Sequence, residues 1–351
     1  MPLLTTTIGA YPKPDYVPVV DWFNAEGGTI NEDPTGRYED ELARMGDEAE
    51  NIFQRAAADV IADQIACGID IPTDGEVRRE NYIHYHCRHL NGIDFSTLTE
   101  IMSRNEAYKA RVPTITGPIS PRDHFLPHDF RIAQATTDKP LKVTLPGPMT
   151  IGDTVADDYY GDEKKRGQEL AAALNWEVLA LAEVGCRHIQ IDEPLFARKA
   201  DAALEFGIEN IERAFHGCPE GVTRTMHMCC GYPDCLDETD YPKAPRESYL
   251  QLAEAMDASS VMAVSVEDAH RHNDLSLLDM FKKTTVIFGV VAIASSRIET
   301  VDEIRHRLVN ALDHIDSHRL IAAPDCGLGM LERNMVMAKL KNLCEAAHSL
   351  G

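Results

Sequence analysis

The chain has 351 residues, of which 44% are apolar, and it sets 34 Lys and Arg against 57 Asp and Glu for a formal net charge of −23. An acidic surface repels phosphate backbones and anionic lipid, so neither nucleic acid nor a membrane is an expected partner, and no apolar run approaches the ~20 residues that span a bilayer. Nine cysteines, an odd number, follow a start with no basic and apolar export signal. That pattern argues against a disulfide framework and for a soluble, cytoplasmic protein with free thiols.

Eight short β-branched runs follow in order, at residues 4–10, 68–73, 141–145, 188–192, 222–229, 260–267, 286–293 and 319–324. Helical patterns follow most of them, at 162–184, 200–215, 248–257, 276–282, 301–315 and 331–348. In the first of these helices Leu170, Leu174, Val178 and Leu181 form one apolar stripe. Strand–helix alternation predicts a parallel sheet with helical crossovers, and eight repeats predict closure into a (β/α)8 TIM barrel formed by residues 1–351 as one domain. The open doubly wound alternative lacks a G-x-G-x-x-G after any strand. Between the second and third strands lie roughly 65 residues, longer than an ordinary connection. Part of this stretch, 98–109, is predicted to be helical. Residues 111–140, rich in Pro and polar residues, are expected to form an insertion over one end of the barrel, with 114–118 as a hairpin arm.

The sharpest local signal is His227-Met228-Cys229, at the end of the fifth strand. Residues i and i+2 of a strand share a face, so the imidazole and thiol can converge on one point, and N and S donors suit zinc. Further ligands are expected at other strand ends, where a barrel gathers its active site. Glu267 ends the sixth strand and Cys326 the eighth, completing a His/Cys/Glu/Cys set. A zinc knuckle of His227, Cys229, Cys230 and Cys235 is the rival reading, but it lacks paired C-x2-C halves. Asp192, ending the fourth strand, and Glu76, after the second, are rim carboxylates suited to binding an ammonium group or to acid–base work; helix capping by Asp192 or plain rim solvation is the alternative.

Together these motifs resemble the C-terminal catalytic half of cobalamin-independent methionine synthase, including shorter relatives without the N-terminal half. The resemblance runs along nearly the whole chain. It begins at Thr5-Thr6-Thr7-Ile8-Gly9-Ala10-Tyr11-Pro12 and continues through Asp74-Gly75-Glu76, Leu145-Pro146-Gly147-Pro148-Met149-Thr150 and Gln190-Ile191-Asp192-Glu193-Pro194. It ends at His227-Met228-Cys229, Glu267 and Pro324-Asp325-Cys326-Gly327-Leu328. It implies zinc held by His227, Cys229, Glu267 and Cys326, homocysteine bound through its ammonium by Glu76 and Asp192, and its carboxylate lined by Ile8, Gly9 and Ala10. Where the family often has Ser, this chain has Ala10.

Three departures fall together. Ala294 stands where folate-dependent members carry a proton-donating His, Thr154 where a folate-stacking Trp is expected, and Arg198 where a folate-contacting Glu is expected. The resemblance therefore implies methyl transfer to the thiol of homocysteine from a donor other than methyltetrahydrofolate. Methylcobalamin, free or on a corrinoid protein, and a methylated sulfonium both leave without an acid. Competing readings are a zinc-dependent transferase acting on another thiol, such as coenzyme M opening an epoxide with Arg78, Arg79 or Arg198 on the sulfonate, a thiol-binding homologue without catalysis, and a metal-free, uroporphyrinogen-decarboxylase-like barrel.

Overall fold

The computed structural model describes residues 2–19, 34–103, 108–233, 235–239 and 241–350. Seven parallel strands form one sheet in the order β1 (Leu4–Thr5), β10 (Leu320–Pro324), β9 (Thr285–Val291), β8 (Ala263–Val266), β7 (Thr223–Met228), β6 (His188–Asp192) and β4 (Lys142–Pro146). Of the eight predicted runs, seven thus appear as strands of this sheet. Among the described residues, the run at 68–73 meets the two edges of the sheet through isolated parallel bridges, Thr6, just after β1, with Ile71, and Thr73 with Lys142 of β4. Pro72, between the bridged residues, has no N–H to give a ladder, and its carbonyl accepts from Lys142 N at 2.9 Å. The architecture is a curled parallel sheet packed with helices.

Helices form where the sequence supplies periodicity and caps. Asp162 accepts from the N–H groups of Lys164 and Lys165 at the start of Glu163–Glu183, and the predicted stripe Leu170, Leu174, Val178 and Leu181 is fully buried. Thr300 and Glu303 form a capping box on Val301–Leu312. The predicted helix at 200–215 is divided by a π turn over Ala203–Gly207. Helices Pro34–Met45 and Ala49–Cys67 precede the second run and were not among the predicted elements; Gly68, at φ 103°, ends the second of them in the left-handed region.

The long connection differs from its prediction. Residues 98–103 are strand rather than helix, part of β2 (Leu90–Ser103), which pairs antiparallel with β3 (Tyr108–Pro121); residues 104–107 lie outside the described residues. Thr97-Leu98-Thr99-Glu100-Ile101 keeps no strict period of its own, and cross-strand partners such as Thr99–Val112 and Ile101–Ala110 decide the state. The expected hairpin arm at 114–118 is thus part of a longer β-hairpin. Ile115 is buried, and β3 packs on helix Glu163–Glu183. β5 (Ala156–Asp157) adds a third strand, and helix Leu126–Gln134 leads back to β4.

Two apolar regions hold the sheet. The large core lies between strands and helices, where Val143, Leu145, Ile189 and Ile191 point. On the inner face Ile8, Ala263, Ile287 and Ala323 form a separate small cluster. Period-2 alternation therefore sends Thr144, Gln190, Asp192, His227, Ser265 and Glu267 inward with them.

Candidate active site

The ends of β7, β8 and the segment after β10 bring together residues far apart in sequence. One ligating atom each of His227, Cys229 and Cys326 lies within 4.8 Å of the others, and His227 Nε2 is 3.3 Å from Cys326 Sγ. Ser265 Oγ, 3.0 Å from His227 Nδ1, fixes the ring with Nε2 toward the thiols. Burial pushes His227 down to about 3, so the imidazole is neutral, as a ligand must be. The Cys229 thiol is held well above its ordinary range, first by its hydrogen bond to Cys326 and then by burial.

Glu267 is outside the tight trio. Its carboxylate accepts from Cys230 N at 3.0 Å and hydrogen-bonds the Cys229 thiol. Its pKa is raised by burial and then by Cys229 and Asp325. One imidazole and two thiols at this spacing, with a carboxylate beside them, fit the donor chemistry and tetrahedral preference of zinc. The alternative knuckle is not assembled: Cys235 is exposed, and Cys230 turns to Arg271 and Tyr249.

Beside the thiols lies a carboxylate pair. Glu76, at φ 57°, turns inward under Gly9, where a Cβ would come within 2.6 Å of Glu76 Oε1. Thr144 Oγ1 donates to Glu76 Oε1 at 2.5 Å, and Arg79 lies 3.4 Å from the same oxygen. Asp192 accepts from Gln190 Nε2 at 2.7 Å. Burial, and next the negative Glu76, holds the Asp192 carboxyl well above its usual range. Two neighbouring buried carboxylates favour a cation between them. Gly9 packs against Glu76 and Thr144, Ala10 is buried, and the Ile8 carbonyl accepts from Gln190.

Three further positions complete the comparison with the sequence. Ala294 is 2% exposed, gives its N–H to His270 Nε2 at 3.2 Å and borders a cavity of about 740 Å³. Thr154 Oγ1 donates into its own helix, to the Thr150 carbonyl at 2.7 Å. Among the arginines, Arg78 is engaged by Glu50 and Asp129 and Arg79 by Thr144, whereas Arg198 Nε is buried with no hydrogen-bond partner among the described residues. Sequence reading assigned no part to Ser265, Thr144 or Tyr82. Ser265 stands two before Glu267 and Thr144 two before Pro146, so strand period alone would have placed both on the inner face. Tyr82, which interacts electrostatically with Asp192, Cys229 and Cys326, comes from a short helix after Glu76 and left no such signal.

A curled parallel α/β sheet with one His and two Cys converging at its strand ends is an enzyme-like arrangement whose donor set could hold a metal ion. The family described as cobalamin-independent synthase, catalytic domain, matches residues 3–349, and the chain belongs to it. A methionine synthase of Sulfolobus acidocaldarius is 28% identical over 345 residues, covering 97% of this chain and 90% of that protein. One from Saccharolobus solfataricus is 29% identical over 351 residues, covering 98% and 94%. A B12-independent methionine synthase from Shewanella sp. W3-18-1, solved with selenomethionine, superposes with a TM-score of 0.86 at 29% identity, covering 100% of this chain and 98% of that one. Among the described residues, no helix is long and apolar enough to cross a membrane.

Proposed function

We propose that this protein is a zinc-dependent methyltransferase that converts homocysteine to methionine. The observation that carries the reading is the convergence of His227, Cys229 and Cys326 within 4.8 Å, next to a buried carboxylate pair. We take residues 68–73 as the remaining strand of a closed (β/α)8 barrel, with residues 1–351 one domain and 111–140 an insertion at one end. The bridges to Thr6, just after β1, and to Lys142 of β4 support that closure.

His227, Cys229 and Cys326 would hold the ion, with Glu267 beside them as the fourth ligand. Zinc supplies the positive charge that keeps a thiol deprotonated near neutral pH. Glu76 and Asp192 bind the ammonium group, and the backbone of Ile8, Gly9 and Ala10 faces the carboxylate. The homocysteine sulfur displaces the donor's leaving group at the methyl carbon, forming one S–C bond as another breaks, and the thiol proton passes to solvent.

Ala294 offers no proton to a leaving group, and Thr154 and Arg198 replace the remaining folate contacts. A donor whose leaving group departs unprotonated fits these positions, and a methylated sulfonium, which leaves as a neutral thioether, is such a donor. A corrinoid donor draws no support from relatives in a family described as cobalamin-independent. The coenzyme M reading needs an available cation; Arg78 and Arg79 are engaged and only Arg198 keeps a donor without a partner among the described residues, while the paired acids suit an amino-acid thiol better. The test is to measure zinc per chain and assay homocysteine with sulfonium, methyltetrahydrofolate and methylcobalamin donors. Methionine from the sulfonium is expected. Robust turnover with methyltetrahydrofolate would overturn the donor assignment, and no methionine from any donor would overturn the function.

A further inference from the structure

Beneath the carboxylate pair the inner face carries polar groups that the proposed chemistry does not use. β4 and β6 pair in register, with Lys142 opposite His188, Thr144 opposite Gln190 and Pro146 opposite Asp192. Period-2 alternation stacks these side chains in layers. Asp192 is at the top, Thr144 and Gln190 are one layer down, and Lys142 and His188 lie below them. Gln190 is fully buried, and its amide nitrogen makes two short bonds, 2.6 Å to the Ile8 carbonyl and 2.7 Å to Asp192 Oδ1. One amide thus ties the segment that faces the substrate carboxylate to the acid that faces its ammonium. Gln190 Oε1 is buried and has no hydrogen-bond partner among the described residues.

Lys142 shares this isolation. It is 2% exposed, and its Nζ has no hydrogen-bond partner among the described residues. Burial pushes it down to about 7, and Asp192 pulls it back toward the charged form. His188 and His227, the other titratable groups that interact with it, are held low by burial and then by Lys142, so neither offers it a negative charge. A buried ammonium without an acceptor is costly. An apolar residue of similar length would pack there at less cost, so stability alone gives no reason for a lysine.

We propose that Lys142 and Gln190 are positioning residues for the amino-acid end of the substrate: Gln190 aims Asp192 and the Ile8 carbonyl from one amide, and the Lys142 side chain places a positive end beneath Asp192, on the side away from the ammonium. The proposal rests on the homocysteine reading above. Among the described residues, neither hydrogen-bonds His227, Cys229 or Cys326, so both are expected to act first on binding of the amino-acid group rather than on metal or sulfur.

The experiment compares the zinc-loaded full chain with Lys142→Met, Gln190→Met, Asp192→Asn and the Lys142→Met/Asp192→Asn double variant. It measures homocysteine affinity by calorimetry, KM against kcat, zinc content and Tm. Lys142→Met and Gln190→Met are each expected to weaken homocysteine binding about tenfold, equivalent to about 1.4 kcal/mol. KM should rise by more than kcat falls, with zinc content as in the wild type. Lys142→Met should also keep or raise Tm, since it removes an orphan charge; a merely structural lysine predicts the opposite. In the Asp192→Asn background Lys142→Met should cost almost nothing further, the mark of a coupled pair. Wild-type affinity in both single variants, or full additivity in the double, overturns the inference alone. No homocysteine binding by the wild type overturns it together with the functional reading. Should Lys142→Met fail to fold, the orphan-charge argument is wrong, and the affinity of Gln190→Met then decides the amide's part.

Discussion

Acidic side chains at the strand ends divide into two regions with opposite environments. On the framework side, Glu193 accepts from Met149 N, Thr150 N and Thr150 Oγ1 at 3.0, 2.8 and 2.5 Å. Asp325 accepts from Asp268 N, Ala269 N and His270 N at 2.9, 2.9 and 2.7 Å, and Asp268 takes both Arg307 Nε and Nη2. On the pocket side, one residue away in the chain, Asp192 has a side-chain amide and Cys326 has His227 and Cys229. Buried oxygens bonded by backbone N–H groups hold loops in place, whereas those left facing one another favour a cation. Neighbours in sequence thus divide the work, Glu193 and Asp325 bracing the loops from which Asp192 and Cys326 face the site.

The largest effect expected from this contrast is at Cys326. Cys326→Ala should lose zinc, measured by metal analysis, and methyl transfer, while the folded circular dichroism spectrum persists; retained metal and full activity would break the division. The framework carboxyl Glu80 sharpens it through pH. It is fully buried, accepts from Arg88 Nε with one oxygen, has no partner for the other among the described residues, and is pushed up to about 7 by burial. Because its folded pKa is raised, the folded chain keeps the proton that the unfolded chain releases. Its contribution is full below pH 4.5 and is lost as the pH climbs to about 7. Denaturation of the wild type and Glu80→Gln across that window should diverge by up to about 3 kcal/mol, and parallel curves would contradict the assignment.

Two glycines make a matched pair. A Cβ on Gly147 would stand 2.1 Å from Glu193 Oε2, and one on Gly9 2.6 Å from Glu76 Oε1. Gly147→Ala is expected to lower stability by about 2 kcal/mol through overpacking, read as a lower denaturation midpoint. Ser265→Ala frees the His227 ring and should weaken zinc affinity about tenfold, as loss of an orienting partner does; competition with a chelator measures it. Gly9→Ala should be the mildest, displacing the Glu76 carboxylate and raising KM for homocysteine a few-fold with Tm unchanged. Equal stability losses at the two glycines would erase the distinction between framework and pocket.

Much of this organisation was legible in the chain. Seven of eight strand runs, the stripe on Glu163–Glu183 and the His227–Cys229 pair follow from period and donor type, which are local properties. The 98–109 stretch was misread because short polar–apolar runs suit either state until a partner strand is present. Residues 68–73 read as an ordinary strand, yet Pro72 limits them to two bridges. Tyr82 reaches the thiols from a segment whose path no local pattern sets.

By itself the sequence determined the parallel α/β class, the inward-facing alternation and the identity of the donor atoms, because strand period and side-chain chemistry act over a few residues. Only the tertiary structure decided that Cys326 meets His227 across 99 positions, that Glu267 stands just outside the closest trio, and that the buried Glu76 and Asp192 come within electrostatic reach of each other. Those distances are set by strand order, by the left-handed turn at Glu76 and by the satisfied carboxylates beneath the rim, all of which depend on segments that meet only when the sheet curls.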